Sequence, residues 1–124
     1  MLRSALVPSA AVFLLVLAAC ATAQAADAAR GKELYESRCG GCHSLDQDRI
    51  GPRHRGVIGR RAGTVADFDY SPALRAARIV WNAQTLDAWL ADPERLVPGQ
   101  RMNYRVPDAS DRSDVIGFLQ ATSP

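Results

Sequence analysis

The apolar and polar positions of this chain predict short helices separated by long loops. The first helix is expected over residues 27–38, where Leu34 lies on an apolar side and charged residues cover the rest. Residues 44–71 are rich in Gly, Pro, Asp and Arg and follow neither the helical nor the strand period. A compact domain tolerates a loop of that length only when the loop wraps around something.

The second half of the chain predicts further helices. Residues 72–77 favour a short helix, opened by a serine as N-cap and a proline in the first turn. Residues 83–91 predict a longer helix capped by Asn82, and Asp92-Pro93 ends it because proline disfavours helix at the residue before it. Its apolar stripe at i, i+3, i+4 spacing consists of Leu86, Trp89 and Leu90.

A last helix is predicted to begin at Asp108, with Asp111 placing negative charge in its first turn. The stripe expected to pack inward consists of Val115, Phe118, Leu119 and Thr122. No segment alternates as a strand does, and neither a repeat nor a second domain is indicated. The predicted fold class is therefore all-α, with three to five helices and long loops.

Residues 1–25 have the layout of a secretory signal peptide: a positive start, an apolar run and small residues in Ala-x-Ala patterns. The apolar run is about 15 residues long, shorter than the roughly 20 that cross a bilayer. The run ending in Leu17-Ala18-Ala19-Cys20 also fits a lipoprotein signal, in which a lipid on Cys20 would tether the protein. Both interpretations predict a periplasmic protein with one domain over residues 26–124.

Composition adds two constraints. A mature chain of about 100 residues is small for a self-sufficient core, so a buried cofactor would supply missing apolar mass. The formal net charge is +2, and Lys32 is the only lysine. This balance gives no indication of nucleic acid binding.

The residues Cys39-Gly40-Gly41-Cys42-His43 form a C-x-x-C-H motif, the attachment site of c-type haem. Two thiols at this spacing reach the two vinyl positions on one porphyrin edge, and the imidazole of the next residue coordinates the iron. A disulfide, a thioredoxin-like redox pair and half of a zinc site are the alternatives. The redox pair requires a βαβ context, and the zinc site requires two more ligands. We therefore expect one haem c per chain.

The sixth iron ligand has few candidates in the mature chain. Met102 is its only methionine, and it follows the rigid turn at Pro98-Gly99. His54 is the only histidine besides His43, and it competes as a ligand from a loop better placed on the proximal side. A His/Met pair favours ferrous iron and raises the reduction potential. We expect His43 and Met102 to be the metal ligands.

Several ordered motifs make the chain resemble the class I cytochromes c, in particular the mitochondrial-like and bacterial cytochrome c2 type. The resemblance covers about residues 31–119, nearly the whole mature chain. Its landmarks are residues 39–43, 51–52, 59–63, 70–73, 80–81, 92–93 and 97–102. It implies a small cytochrome c fold, with loops wrapped around one haem.

The resemblance also implies roles for individual residues. The carbonyl of Pro52 would accept the Nδ1–H of His43 and fix its tautomer. Four residues would hydrogen-bond around the haem propionates: Arg60, Tyr70, Ser71 and Trp81. The first helix would cross the last, by contacts of Gly31, Leu34 and Tyr35 with Phe118 and Leu119.

Some positions depart from the pattern of that family. Trp89 stands where a tyrosine hydroxyl often bonds the methionine sulfur, and Tyr104 takes the place of a phenylalanine at the crevice mouth. His54 replaces an apolar residue after the Gly-Pro pair. The usual ring of lysines is absent, and the arginines that would replace it are Arg53, Arg95, Arg101 and Arg105.

The resemblance implies a non-enzymatic one-electron carrier between protein partners of a respiratory or photosynthetic chain. It would be a monomer that meets the membrane only through a lipid on Cys20 or through partner complexes. Two alternatives stay open: a haem protein with a labile sixth ligand that acts on peroxide or a gas, and a cytochrome subunit of a larger redox complex.

Overall fold

A computed structural model describes residues 25–124 of the chain. The expectations for the signal peptide, the lipoprotein signal and Cys20 concern positions outside the described residues. The helices are α1 (Ala28–Leu34), α2 (Pro72–Ala76), α3 (Ala83–Ala91), α4 (Pro93–Leu96) and α5 (Ala109–Ala121). The described part has no β-sheet, only an isolated antiparallel bridge between Arg61 and Val80. The predicted all-α class is therefore confirmed.

Local signals fix the middle helices. Asn82 and Thr85 form a reciprocal capping box, in which each side chain bonds the other residue's backbone N–H at 2.9 Å, and α3 has the predicted bounds. Ser71 caps α2, whose first residue is Pro72, and α2 ends one residue earlier than expected. These caps satisfy N–H groups that a helix start leaves without an intrahelical partner.

Two elements differ from the prediction. The first helix ends as an α-helix at Leu34 and continues as a π-helical turn through Tyr35–Cys39, directly into the haem motif. Helix α4 was not predicted at all. Asp92 accepts the backbone N–H of Arg95 at 3.2 Å, and Pro93 occupies the first helical position, where no N–H is needed. The pair that ends α3 therefore also begins α4.

Helix α1 crosses α5 with close backbone contact at Gly31. A Cβ built at this glycine would overlap the carbonyl oxygen of Asp114 and lie 3.1 Å from Cβ of Phe118. The rings of Tyr35 and Phe118 pack next to it, with centroids 5.2 Å apart. The crossing expected from the resemblance is therefore present, and a residue without a side chain permits it.

A cluster of ion pairs links the two helices at this crossing. Arg30 of α1 donates to Asp111 at 2.5 Å and to Asp114 at 2.6 Å, and Arg38 lies 2.9 Å from the second oxygen of Asp111. Asp114 also accepts the backbone N–H of Asp27 at 2.8 Å. Both aspartates are buried, so the arginines provide the partners that buried carboxylates require. Asp111 thus does more than charge the first turn of α5.

The long loop over residues 44–71 is held by backbone hydrogen bonds to distant segments. The N–H of Gly59 donates to the carbonyl of Trp81 at 2.8 Å, and the N–H of Gly56 donates to Thr122 at 3.2 Å. The loop therefore runs around the helices as a fixed wall. Among the described residues, no helix combines the length and apolar content needed to span a bilayer.

We predict that Gly31→Ala destabilises the holoprotein. The added methyl meets backbone of α5, which moves only if the two helices separate, and such overpacking costs about 1–3 kcal/mol. That cost exceeds the gain of about 1 kcal/mol in helix propensity. Denaturant unfolding measures the difference, with Lys32→Ala on the exposed side of α1 as control. Equal stability of Gly31→Ala and the wild type would contradict the close crossing.

We predict a second, pH-dependent effect at Asp114. The N–H of Asp27 and the guanidinium of Arg30 hold the pKa of this carboxyl below its ordinary value of 3.8. Because the folded pKa is the lower one, the stabilisation is complete above the ordinary value and is lost as pH falls through the folded pKa.

The Asp114→Asn variant should lose about 1–2 kcal/mol at pH 7, the scale of a charged hydrogen bond discounted for partial exposure. Its stability should also fall less steeply than that of the wild type below about pH 4. Unfolding titrations from pH 7 to pH 3 check both statements, with Glu33→Gln on the exposed surface as control. Parallel curves for wild type and variant would argue against this role for Asp114.

Candidate functional site

The cysteine motif forms a tight turn directly after the π-helical end of the first helix. The N–H groups of Cys42 and His43 donate to the carbonyl of Cys39 at 3.1 and 2.9 Å. Arg49 donates from its guanidinium to the carbonyl of Gly40 at 2.5 Å. These bonds hold both thiols and the imidazole on the wall of one cavity.

The thiols do not have the properties of a redox pair. No disulfide joins Cys39 to Cys42. Burial raises the pKa of Cys39 to about 11, against a smaller opposite effect of Arg38. A thioredoxin-like nucleophile requires the reverse, a thiolate at neutral pH. Within residues 25–124 there is also no group of three side chains suited to hold a metal ion by themselves, which counts against a zinc site there.

The imidazole of His43 is held in one tautomer. Its Nδ1 lies 2.8 Å from the carbonyl oxygen of Pro52, which can only accept, so Nδ1 carries the proton. Burial lowers the pKa of His43, although the bond to Pro52 opposes this. Nε2 is therefore left with a free lone pair. Gly51 lies against one face of the ring at Cε1, where a Cβ would overlap the imidazole.

A cavity of about 490 Å³ opens beside this imidazole. Its walls come from elements spread over the whole described chain. They are mainly apolar, and among the residues lining them are Tyr35, Val57, Leu86, Trp89, Leu90, Val115 and Leu119. The volume falls in the range of cofactor sites, about 300–1,000 Å³. The π-helical end of the first helix, α3 and α5 thus meet around a shared space.

Met102 lies on the wall of the same cavity, in a loop held by polar contacts. Gln100 is buried and donates to Asn103 at 2.7 Å, while its oxygen accepts the N–H of Asn103 at 3.0 Å. Glu94 accepts from Gln100 at 3.0 Å and from the N–H of Gly99 at 2.9 Å. No periodic signal in the sequence indicates this network, which fixes the residues on both sides of Met102.

Polar donors also face the cavity. Tyr70 accepts the N–H of Val65 at 3.1 Å, and Ser71 accepts that of Leu74 at 3.0 Å, so each hydroxyl proton remains available. Trp81 is a buried residue that lines the cavity, and no polar side-chain atom of residues 25–124 is both fully enclosed and without a partner. Its indole N–H donates to no group of these residues and is not fully enclosed, so it remains available to an acceptor. These three residues favour an acceptor inside the cavity.

Arg60 adds a positive charge to that set. Its guanidinium donates to the carbonyls of Arg53 and Arg55 at 2.7 and 2.6 Å, and no carboxylate of the described residues pairs with it. Partial burial lowers the pKa of Arg60, which shows that its surroundings disfavour the cation. An anionic group of the ligand would compensate this charge.

The three residues that depart from the expected pattern all line the cavity. Trp89 is buried against Trp81, with ring centroids 5.5 Å apart. Tyr104 lines the cavity and is 40% exposed. His54 stacks on His43 instead of standing apart from it, with ring centroids 4.0 Å apart. Its placement beside the proximal imidazole agrees with the side expected for that loop.

The arginines proposed as a substitute lysine ring are less concentrated than expected. Of the four, Arg101 alone lines the cavity. Arg53 pairs with Asp48 at 3.0 Å, and Arg105 pairs with Asp92 at 3.0 Å. Arg101 itself lies 3.6 Å from Asp69. Paired arginines offer less net positive charge to a partner than an unpaired lysine ring would.

The fold and the site together define a class: a small helical protein built around one covalently attached haem. The thiols, the neutral imidazole, the apolar walls and the available donors all fit that group. The cytochrome c family model matches residues 28–123. The chain belongs to the cytochrome c family and carries one haem c, attached covalently at the C-x-x-C-H motif of residues 39–43, as a monohaem electron carrier.

Individual relatives agree with this assignment. The chain is 39% identical over 99 residues to cytochrome c 2.1 of Caenorhabditis briggsae, covering 77% of this chain and 88% of the relative. It is 41% identical over 97 residues to cytochrome c of Euglena viridis, covering 76% and 95%. Cytochrome c-type cyt cy of Rhodobacter capsulatus is 39% identical over 95 residues, which cover 75% of this chain and 48% of that protein.

A solved structure has the same fold. Cytochrome cH from Methylobacterium extorquens superimposes with a TM-score of 0.73 at 35% sequence identity. The alignment covers 77% of this chain and 98% of that protein. The predicted cytochrome c fold is thereby confirmed.

We predict that Gly51→Ala impairs the haem site. The new methyl would overlap the His43 ring, and relief of such overpacking costs about 1–3 kcal/mol. The variant should give less holoprotein with the wild-type spectrum when coexpressed with the haem-ligation machinery. Gly41→Ala, which adds the same methyl into open space within the motif, is the matched control. Equal yields and spectra for Gly51→Ala and wild type would exclude this contact.

Proposed function

We propose that this protein is an exported one-electron carrier whose haem iron is ligated by His43 and Met102. Haem c, when bound, supplies the one-electron couple, and the protein supplies ligands, surroundings and a docking surface. One observation carries the proposal. The C-x-x-C-H turn and the thioether of Met102, the only one in residues 25–124, line the same apolar cavity.

Support for Met102 as the sixth ligand comes from its loop. The Gln100–Asn103 contacts hold the backbone on both sides of Met102, so little freedom remains for the residue between them. His54, the competing ligand, stacks on His43 and bonds Tyr35, which makes it a neighbour of the proximal ligand. The pair His43 and Met102 is therefore the favoured assignment.

The donors of the cavity favour a role in holding the propionates. Arg60 would provide the charge, and Tyr70, Ser71 and Trp81 would each donate one hydrogen bond. In this arrangement the buried hydroxyls and the indole N–H gain acceptors, and the half-buried guanidinium gains a counter-ion. Pro52 would hold His43 in the tautomer that presents Nε2 to the iron.

The surroundings of the site suit electron exchange without substrate binding. Apolar walls from the π-helical end of the first helix, α3 and α5 exclude water and keep the dielectric low. Ile50 is 79% exposed and Tyr104 40% exposed, and both line the cavity, so its mouth offers an apolar rim to a partner. Transient docking of redox proteins uses small surfaces of this kind. We propose protein donors and acceptors as its partners.

Export is proposed from the leader sequence. The charged start, the apolar run and the Ala-x-Ala sites of residues 1–25 favour cleavage and a mature domain over residues 26–124. We infer a periplasmic monomer, with a lipid on Cys20 as the alternative form of the mature N-terminus.

We predict that Met102→Leu, which keeps apolar volume but removes the thioether, opens the iron. The variant should lose the sulfur-to-iron absorption band, have a lower reduction potential and bind cyanide or carbon monoxide at once. Optical titration and redox titration measure these changes, with Tyr104→Phe at the cavity mouth as control. Wild-type spectra in the Met102→Leu variant would refute the ligand assignment.

The same spectra decide between the carrier and the second candidate function. Trp89, in place of a tyrosine hydroxyl near the methionine, is the residue that favours a labile sixth ligand. A wild-type protein that is low-spin when oxidised supports the carrier. A high-spin wild type that binds cyanide immediately supports peroxide or gas chemistry.

A further inference from the structure

His54 covers the ring of the proximal ligand. Its imidazole stacks on that of His43, with centroids 4.0 Å apart and planes inclined by 24°. This position lies two residues beyond the Pro52 carbonyl that fixes the Nδ1 proton of His43. The same short segment therefore contacts the ligand imidazole through a hydrogen bond and through a flat ring.

Two other contacts of His43 restrain its ring only in part. The bond to Pro52 fixes the Nδ1 edge, and Gly51 approaches one face of the ring at Cε1. An imidazole held by one hydrogen bond and a contact at one atom still tilts about the line from Nδ1 to the acceptor. A stacked ring on its face opposes that tilt, because rotation brings the two rings closer than van der Waals contact allows.

His54 is itself anchored to the helix crossing. Its Nδ1 lies 3.0 Å from the hydroxyl oxygen of Tyr35, and either direction of donation fixes the position of the Nδ1 edge of His54. Tyr35 is 5% exposed and packs on Phe118 of α5, with centroids 5.2 Å apart. The contacts thus run without a gap from α5 through Tyr35 and His54 to His43.

We propose that His54 is a positioning residue that sets the imidazole plane of His43 at the iron, with Tyr35 as its anchor. The proposal rests on His43 being the proximal ligand. An apolar side chain at residue 54 fills the same volume, but it provides neither a flat parallel face nor a directional bond to Tyr35. The orientation of the ligand plane determines how unpaired spin is distributed over the ferric haem, so it has a spectroscopic signature.

The test uses the ferric holoprotein and three variants. His54→Leu removes the flat ring and its bond to Tyr35, while Tyr35→Phe removes only the hydroxyl. Leu86→Val, on the α3 wall of the cavity, is the control for a general loosening of the pocket. Paramagnetic proton NMR records the haem methyl shifts, which report the ligand plane. Denaturant unfolding, run in parallel, shows that each variant is folded.

We expect His54→Leu to reorder or compress the methyl shifts, Tyr35→Phe to change them in the same direction by less, and Leu86→Val to keep the wild-type order. An unchanged pattern in folded His54→Leu overturns the proposal, and so does an equal change in Leu86→Val. A change in His54→Leu with none in Tyr35→Phe removes the anchor role. Failure of the ligand assignment itself is distinguishable, because the wild type would then lack a low-spin spectrum.

Discussion

The structure depends on its helices packing around a prosthetic group as much as on one another. The π-helical end of the first helix and the inner faces of α3 and α5 line one cavity of about 490 Å³. A domain of about 100 residues buries too little surface to leave such a space in its centre without a filler. The haem is therefore part of the core, which explains why loops, not strands or further helices, complete the walls.

Direct helix packing is most extensive where α1 crosses α5. Gly31 brings the backbones of α1 and α5 together, and Arg30 ties the two buried aspartates of α5 to α1. The cysteine motif is joined to α1 without an intervening loop, through the π-helical turn. Any shift of the crossing therefore moves the haem attachment site, which couples the stability of the fold to the geometry of the ligand.

Charge is distributed in two different ways over the molecule. At the helix crossing, arginines pair with buried carboxylates and stabilise the fold. At the cavity, Arg60 has no carboxylate partner among the described residues, which fits an anion supplied by the cofactor. The arginines near the surface are mostly paired, so an apolar rim around Ile50 and Tyr104 contributes more to the proposed docking surface than a basic ring does.

The sequence by itself determined the attachment chemistry, the helical class and most helix bounds. These depend on residues within a few positions of one another: the C-x-x-C-H spacing, the Asn82 cap with Thr85, and the proline that opens α2. Helix α4 escaped prediction because Asp92-Pro93 is equally compatible with the end of one helix and the start of the next. Local signals specify where a helix ends, but they do not always specify the next element.

Only the tertiary structure decided the contacts between residues far apart in the chain. Arg30 meets Asp114 across 84 positions, and Tyr35 meets His54 across 19, with no spacing rule that would have paired them. Likewise, the sequence named Met102 as a ligand candidate, but its place on the same cavity as His43 depends on how α3, α4 and α5 pack. Such contacts depend on where helices cross, and crossing geometry is set by the packing of whole faces, which no short motif encodes.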